Sequence, residues 1–273
     1  MHRSITAPAR TQAGPAFSDL LRHWRSVRRL SQLALAGEAD ISARHVSFLE
    51  TGRSLPSRQM VQQLAHALHI PLAEQNALLL AAGYAPIYGA RPLQAPELAP
   101  VRHALDFMLA QQEPFPALVL DDGWNVLMRN GASRRLFATF RAGYLMPDEL
   151  ADNAVHVLCH PGGLRQFMLG WEDYVAPFLQ ALHRDATHGL RPAAARLLDQ
   201  VRAYPGVPER IDVPAPAAPL LTMRLRRGET QLAFFTTLTT FAMPQDVTLQ
   251  QTRIESFFPA DAATEAAARH AAR

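Results

Sequence analysis

The chain has 273 residues, of which 48% are hydrophobic and 19% charged, a composition that excludes wholesale disorder and suffices for one or two hydrophobic cores. Its single cysteine, Cys159, excludes an intramolecular disulfide framework and a zinc site built from several thiolates. No run of about 18 apolar residues is present, which predicts that no transmembrane helix forms. Residues 1–90 hold nine arginines against five acidic residues, whereas residues 91–273 hold eighteen against nineteen, an asymmetry that favours a polyanionic partner for the first third.

Residues 17–83 are predicted to form an all-α domain of five helices, preceded by a disordered tail at residues 1–16. The tail lacks the hydrophobic block of a secretion signal, so a cytoplasmic protein is expected. Apolar side chains at 3-and-4 spacing predict helices that run from Phe17 to Arg28, from Ser31, from Ser42 to Thr51-Gly52, from Pro56-Ser57, and from Pro71 to Gly83. The second and third helices are separated by Ala39-Asp40-Ile41, the short connection that a helix-turn-helix requires.

The remainder of the chain is predicted to be an α+β domain behind a linker. Prolines at 86, 92, 96 and 100 forbid a continuous helix over residues 84–100, which are predicted to be a semi-rigid, proline-rich linker. Asp122-Gly123 lies between two short apolar runs and predicts a β-hairpin. Asn130 is a predicted N-cap, helices are predicted over most of 132–203, and strands return at 221–225 and 231–241.

The motifs of the first domain resemble a known class of DNA-binding domain. They run from Leu30-Ser-Gln-Leu-Ala-Leu-Ala36 through Ile41-Ser-Ala-Arg-His-Val-Ser-Phe-Leu-Glu-Thr-Gly-Arg53 to Pro56-Ser57. This pattern resembles the five-helix Cro/phage-repressor type, and with the segment 71–86 it is similar to the MmyB-like branch of bacterial transcription regulators. The resemblance implies a homodimer that binds a double-stranded DNA operator and is nucleoid-associated when bound. Asp40 stands where the family usually has glycine, but aspartate tolerates a left-handed backbone better than most residues.

Helical geometry turns one side of the third helix towards the domain and the other side outwards. Val46, Leu49 and Glu50 share the inner side. In the resembled fold the outer side lies in the major groove, and the predicted DNA-binding residues are Gln32, Ser42, Ala43, Arg44, His45, Ser47, Phe48, Thr51 and Arg53.

The predicted contacts differ in kind. Arg44 is the predicted base reader, because arginine can bond guanine O6 and N7 together. Phe48 either contacts a thymine methyl group or packs against protein, and Arg53 either positions the DNA backbone or is an ordinary solvated charge. The resemblance implies that Gln32 bonds a phosphate and that Arg25 and Glu50 form an internal, structural ion pair.

The second domain carries further segments that are similar to MmyB-like regulators. They are 119–130, 160–164 with Trp171, and 234–241 through 254–261. The resemblance implies a PAS-like ligand-binding domain over residues 101–264, followed by a tail at 265–273, and a long-chain fatty acid as the class of ligand. Large apolar side chains and possible carboxylate anchors make up the predicted ligand-binding residues, which are Phe107, Trp124, His160, Arg165, Phe167, Trp171, Arg224 and Phe234. Aromatic residues at helical spacing more often line a core than a cavity.

Two other classes of function are left open by the sequence. One is a helix-turn-helix interaction or repressor module that binds no small molecule. The other is an enzyme built on His156, Cys159 and His160, but the apolar neighbours of these residues indicate burial, and no second cysteine or orienting acid is evident. With no P-loop and no dinucleotide-binding glycine pattern, the sequence predicts a regulator that is not an enzyme and holds no metal or cofactor.

Overall fold

The computed structural model describes residues 16–143, 145–187, 192–208 and 220–272. The chain divides into two compact units, Met1–Gly89 and Ala90–Arg273. The predicted tail at 1–16 lies outside the described residues apart from Ala16. The predicted linker at 84–100 is shared between the units, and its second half contains a buried Leu93 and a 3₁₀ turn at Pro96–Leu98. Within the described residues, no helix combines the length and apolar character needed to cross a membrane.

The first unit consists of the five predicted helices in the predicted order, which confirms the all-α domain. They are α1 Phe17–Val27, α2 Gln32–Glu38, α3 Ala43–Glu50, α4 Arg58–Ala67 and α5 Leu72–Ala81. Serine side chains at 31, 42 and 57 cap α2, α3 and α4, each by accepting a hydrogen bond from the amide three residues ahead. Asp40 has φ 48° in the turn between α2 and α3, the left-handed conformation expected of it.

The core of the first unit holds α3 firmly against its neighbours. Val46 and Leu49 are fully buried on the inner side of α3, which packs against α1 and α2. Leu21 and Trp24 from α1 and Leu35 from α2 are buried as well. The orientation of α3 about its own axis is therefore set by burial of this side, and Arg44 on the opposite side is exposed.

The second unit is built on one six-stranded antiparallel sheet, and it confirms the predicted α+β domain. The strands are β1 Ala117–Leu120, β2 Val126–Arg129, β3 Met168–Leu169, β4 Met223–Arg227, β5 Thr230–Thr240 and β6 Arg253–Pro259, in the spatial order β2-β1-β6-β5-β4-β3. The helices are α6 Ala99–Gln111, α7 Gly131–Arg141, α8 Ala154–Cys159, α9 Trp171–Thr187, α10 Pro192–Arg202, α11 Val247–Gln251 and α12 Ala262–Ala271.

The two faces of the sheet border separate cores. Leu118 and Leu120 of β1 point into the larger core, together with Met223, Phe234 and residues of α8 and α9. Ala117 and Val119 point to the other side and pack with Leu105 and Leu109 of α6. This separation follows from the two-residue period of a strand, and it makes β1 buried on both faces.

Local details of the second unit differ from the sequence-based expectations. β1 and β2 pair as the predicted hairpin, but the left-handed residue of the turn is Trp124, with φ 64°, because the loop is longer than the Asp-Gly pair alone. No strand is predicted over residues 253–259, since Arg253 and Glu255 interrupt the apolar pattern there. In the structure these residues form β6, which lies inside the sheet between β1 and β5. Most of the segment 265–273 forms the end of α12, which is capped by Asp261.

Candidate DNA-binding surface and ligand cavity

The outer side of α3 presents most of the predicted DNA-binding residues on one surface. Arg44 is exposed, and its guanidinium carbon lies 5.2 Å from the centroid of the Phe48 ring. Of the other predicted residues on α3 and its ends, Ser42, Thr51 and Arg53 are exposed, and Ala43, His45, Ser47 and Phe48 are half-buried. The half-buried Phe48 ring therefore packs against the guanidinium of Arg44.

The hydroxyl groups at the two ends of α3 are engaged with the helix itself. Ser42 Oγ accepts a hydrogen bond from His45 N at 3.1 Å. Thr51 Oγ1 donates to Ser47 O at 2.8 Å. The backbone of Arg53 is tied to Phe48 O at 2.9 Å, whereas its side chain extends into solvent. These contacts fix the ends of α3, and Arg44 and Arg53 are exposed cations on this surface.

An ion pair lies behind this surface, inside the first unit. Arg25 Nε donates to Glu50 Oε1 at 2.5 Å, and Arg25 Nη2 donates to Glu50 Oε2 at 3.0 Å. Gln32 Nε2 donates to the same Oε2 at 2.7 Å. Burial by itself raises the pKa of the Glu50 carboxyl, but the hydrogen bonds from Arg25 and Gln32 and the nearby positive charges hold that pKa below its usual value. Gln32 is thus oriented by Glu50 through its amide nitrogen, and the predicted phosphate contact would fall to the second hydrogen of that Nε2.

Two arginines of the first unit bond backbone carbonyl groups at the ends of helices. Arg22 Nη2 donates to Glu50 O at 2.5 Å, at the C-terminal end of α3. Arg28 donates to Leu68 O and His69 O, both at 2.7 Å, at the C-terminal end of α4. Arginines in these positions satisfy carbonyl groups that helices leave without partners. These hydrogen bonds fix the two side chains at helix ends without neutralising their positive charges, and Arg22 is 52% exposed.

The second unit contains an apolar cavity of about 240 Å³ between the sheet and helices α7, α8 and α9. Leu118, Met223, Phe257, Phe140 and Phe178 form much of its apolar wall. Leu221 and Leu238 also line it and are 44% and 50% exposed. Both side chains are therefore shared between the cavity wall and the protein surface.

The cavity wall has a polar part that is absent from the sequence-based predictions. Tyr174 of α9, Thr236 of β5 and Glu255 of β6 lie together there. Burial raises the pKa of the Glu255 carboxyl to about 7, against a smaller opposing effect of the Thr236 hydrogen bond. Burial, followed by the nearby Glu255, raises the pKa of Tyr174. The signal available in the sequence was a single acid within a largely apolar segment, with isoleucine before it and two phenylalanines shortly after it.

Of the predicted ligand-binding residues, Trp124 and Phe234 each line a cavity of the second unit. Trp124 lines the 240 Å³ cavity, with its ring 5.0 Å from that of Phe178. Phe234 lines a second cavity of about 230 Å³ that is also bordered by Ala267 and Ala268 of α12. The predicted set is therefore not brought together at one site.

The other predicted ligand-binding residues have contacts of their own. Phe107 is 60% exposed on α6, and Arg224 is exposed on β4. Trp171 is buried and donates from its indole nitrogen to Leu158 O at 2.8 Å. The guanidinium of Arg165 lies 3.6 Å from the Trp171 ring centroid and donates to a backbone carbonyl.

His160 and Phe167 complete that set. His160 Nδ1 accepts from Gly162 N at 3.0 Å, and the Phe167 ring packs 5.4 Å from Phe140. Neither His160 nor Phe167 lines the 240 Å³ cavity.

His156 and Cys159, on which the enzyme hypothesis depends, are buried in the second unit. Cys159 is fully buried, and burial raises the pKa of its thiol to about 12, which suppresses the nucleophilic thiolate. His156 Nδ1 lies 2.7 Å from Tyr204 Oη, and burial lowers the pKa of this imidazole. Among the described residues, no group of three or more His, Cys, Asp and Glu side chains is arranged to hold a metal ion. Nothing in this arrangement favours catalysis.

A helix-turn-helix unit followed by a cavity-containing α+β unit defines the class of ligand-binding transcription regulators. Residues 16–78 match the helix-turn-helix domain family, and residues 101–271 match the family described as the MmyB-like transcription regulator ligand binding domain. The second match covers more than half of the chain, and the chain belongs to the MmyB-like transcription regulators. The protein is therefore a DNA-binding transcription regulator.

Comparisons with individual proteins are less informative. No curated protein matches the chain. A solved structure described as an RNA-binding light-oxygen-voltage receptor aligns with 94% of this chain and 62% of that one, at 11% identity and a TM-score of 0.29. The chain thus spans less than two thirds of that receptor's length, and a likeness at this level carries no argument about function.

Proposed function

We propose that this regulator reads its operator with the outer side of α3, and that an apolar small molecule in the 240 Å³ cavity changes its affinity for that operator. The observation that carries the first half is the division of α3: Val46 and Leu49 are buried, whereas Arg44 is exposed on the opposite side. An exposed arginine beside a half-buried aromatic ring on a short helix is suited to the edges of base pairs in a major groove.

Arg44→Ala tests the assignment of α3. The variant should lose preference at one base pair of the operator, by about 1–3 kcal/mol for a bidentate contact with guanine. Arg53→Ala is the matched control, because a phosphate contact weakens binding evenly across sequences. Selection of bound duplexes from a randomised operator library measures both profiles. Identical specificity profiles for the two variants would contradict the proposed role of Arg44.

The regulator is proposed to bind as a homodimer in the cytoplasm, in keeping with the family to which it belongs and with the small surface that one α3 presents. Two-fold symmetry predicts operator half-sites about 10–10.5 base pairs apart, or a multiple of that spacing. Sedimentation equilibrium, with and without operator DNA, measures the mass. A single-chain mass in both conditions would refute the dimer.

The second unit is proposed to act as a PAS-like sensor for an apolar ligand such as a fatty acid. The support is the cavity itself, which is lined mainly by apolar and aromatic side chains, as small-molecule sites commonly are. Operator affinity is measured with the purified protein before and after addition of a lipid extract. An unchanged affinity under saturating lipid would favour a repressor module without a small-molecule ligand.

A further inference from the structure

One face of strand β5 lines two cavities in succession. Thr236 and Leu238 line the 240 Å³ cavity, whereas Thr230, Leu232 and Phe234 line the second cavity of about 230 Å³. These five positions alternate along the strand, so their side chains share one face of the sheet. At about 3.4 Å per residue, this face extends over roughly 27 Å. The two cavities therefore follow each other along a single strand.

Helix α7 also lines both cavities. Ala132 and Arg135 line the second cavity, and Phe137 and Phe140 line the first. Leu136 lines both, and its position on the helix lies between these two sets. Its side chain, which is 9% exposed, is therefore part of the wall that separates the two cavities.

Phe234 completes this wall from the side of the sheet. It pairs with Met223 of β4, and its ring centroid lies 6.1 Å from that of Phe257. Met223 and Phe257 line the first cavity, whereas Phe234 lines the second. The partition between the cavities thus contains two apolar side chains, Leu136 and Phe234. Of these, leucine is the smaller, and side chains in protein cores do change rotamer.

Neither cavity alone has room for the whole of a long hydrocarbon chain. A cavity of about 150 Å³ holds benzene, which corresponds to about 25 Å³ per carbon atom. By that measure the first cavity, at about 240 Å³, holds about ten carbon atoms, and the second, at about 230 Å³, holds about nine. A fatty acid that is much longer than decanoate therefore needs both cavities to bury its chain.

Arg129 is placed to hold the carboxylate of such a ligand. Across the sheet, Arg129 of β2 pairs with Leu118, Leu118 pairs with Glu255, and Glu255 pairs with Leu238. Arg129 is thus level with Leu238, at the end of the first cavity that lies away from the second. The partner of Arg129 is Asp152, at 2.7 Å, and the Asp152 side chain is 63% exposed. Because exposed ion pairs contribute little, a ligand carboxylate can bind Arg129 at small cost.

Glu255 does not oppose this placement. Two strand spacings of about 4.8 Å separate its backbone from that of Arg129, roughly 10 Å in all. Burial raises the pKa of the Glu255 carboxyl to about 7, so that near neutral pH about half of these groups carry no charge. Repulsion between Glu255 and a carboxylate at Arg129 is therefore weak.

We propose that the second cavity binds the methyl end of a long-chain fatty acid whose carboxylate binds Arg129, and that the chain passes the partition by displacing Leu136. This inference rests on the proposed function, because it concerns the ligand of the same unit, and it adds a second binding region and a preference for chain length. An acid of about ten carbons or fewer leaves Leu136 in place, whereas a longer acid moves it.

A series of unbranched acids tests the preference for chain length. Octanoate, decanoate, dodecanoate and tetradecanoate are titrated into the full-length protein by calorimetry, below the concentrations at which they form micelles. Affinity should rise beyond decanoate by up to about fourfold per carbon, and tetradecanoate should bind about tenfold or more tightly than decanoate. An affinity that stops rising at decanoate would overturn the proposal while leaving a fatty-acid sensor in place. Failure of all four acids to bind would overturn both.

Ala268→Leu fills part of the second cavity from α12, where Ala268 is half-buried and lines that cavity. It should weaken tetradecanoate binding about tenfold or more and octanoate binding by less than about twofold. Ala266→Leu is the matched control, since Ala266 is exposed on the same helix and lines neither cavity. Equal effects of Ala268→Leu on the two acids would refute the role of the second cavity.

Leu136→Ala removes the smaller side chain of the partition. The ratio of tetradecanoate affinity to octanoate affinity should rise about threefold or more, because the longer chain no longer has to displace leucine. An unchanged ratio would refute the role of Leu136. The acid series on the unaltered protein tests the proposal even if a variant does not fold.

Arg129→Gln removes the charge that is proposed to bind the carboxylate. All four acids should bind about fivefold or more weakly, by a common factor, so that the dependence on chain length is retained. Arg134→Gln is the control, because Arg134 is exposed on α7 and lines neither cavity. Unchanged affinities in Arg129→Gln would show that the carboxylate does not bind Arg129.

Discussion

Replacing Arg25 by methionine removes the cation that neutralises Glu50 inside the helix-turn-helix unit. Arg25 donates to both carboxylate oxygens of Glu50, whose side chain is 2% exposed. Arg25 also donates to Leu30 O at 2.9 Å. Methionine keeps much of the apolar stem of arginine, so the variant tests the charge and hydrogen bonds more than the packing.

The expected loss of stability depends on the two states open to Glu50. If the carboxylate stays ionised, an unpaired buried charge costs about 3–5 kcal/mol. If the carboxylate instead takes up a proton, the cost is the free energy of protonating, at about pH 7, a group whose ordinary pKa is 4.5. That free energy is about 3 kcal/mol. Either route predicts a loss of about 3–5 kcal/mol, a large part of the roughly 5–15 kcal/mol that stabilises a typical domain.

Hydrogen exchange read by mass spectrometry on peptides from residues 17–81 measures the opening free energy of this unit alone, which avoids a two-state assumption for the whole chain. Arg53→Met serves as the control, because Arg53 is exposed and its replacement should change stability by about 0.5 kcal/mol or less. The double variant Arg25→Met, Glu50→Met should be more stable than Arg25→Met alone, since no charge is left unpaired. A double variant that is no more stable than the single one would refute the role assigned to the unpaired charge.

Four further outcomes are expected. Because the pKa of Glu50 is lower in the folded state than when unfolded, its stabilisation is complete above about pH 4.5 and should be lost as the pH falls below it, as shown by faster exchange over residues 17–81. Glu255 has the opposite sign: its pKa of about 7 makes folding less favourable as pH rises from 4.5 to 7, so Glu255→Gln should raise the melting temperature at about pH 8 but not at about pH 4. Cys159 should react with a disulfide reagent at about pH 8 only as fast as the protein unfolds, and rapid labelling of the native protein would contradict its burial. Asn130→Ala removes the cap of α7 together with a bond to Ala117 N, and its urea midpoint should reflect a loss of about 2–3 kcal/mol.

The helices of the first unit could be predicted because their signals are local. A serine before each of α2, α3 and α4 supplies a capping oxygen within three residues, and apolar spacing sets the buried side of each helix. The exposed position of Arg44 follows from the same spacing once Val46 and Leu49 are known to be buried. Helical spacing could not place the amide of Gln32, which is oriented by Glu50, a residue eighteen positions away.

The side chains that line the cavity of the second unit could not be predicted from local sequence patterns. Its polar wall joins Tyr174, Thr236 and Glu255 from three elements, and these meet only because β6 enters the sheet between β1 and β5. The predicted anchors His160, Arg165 and Arg224 were chosen for their charge or hydrogen-bonding ability, but each has local contacts or solvent as its environment, and none lines the 240 Å³ cavity.

Patterns that act within a few residues were sufficient to predict the five helices of the first unit, the exposed position of Arg44 and the α+β character of the second unit. The choice of cavity side chains required the completed sheet, because strand order and register are fixed by apolar burial between segments more than a hundred residues apart. That packing is what partly buries Glu255, raises the pKa of its carboxyl and sets it opposite Arg129 across Leu118.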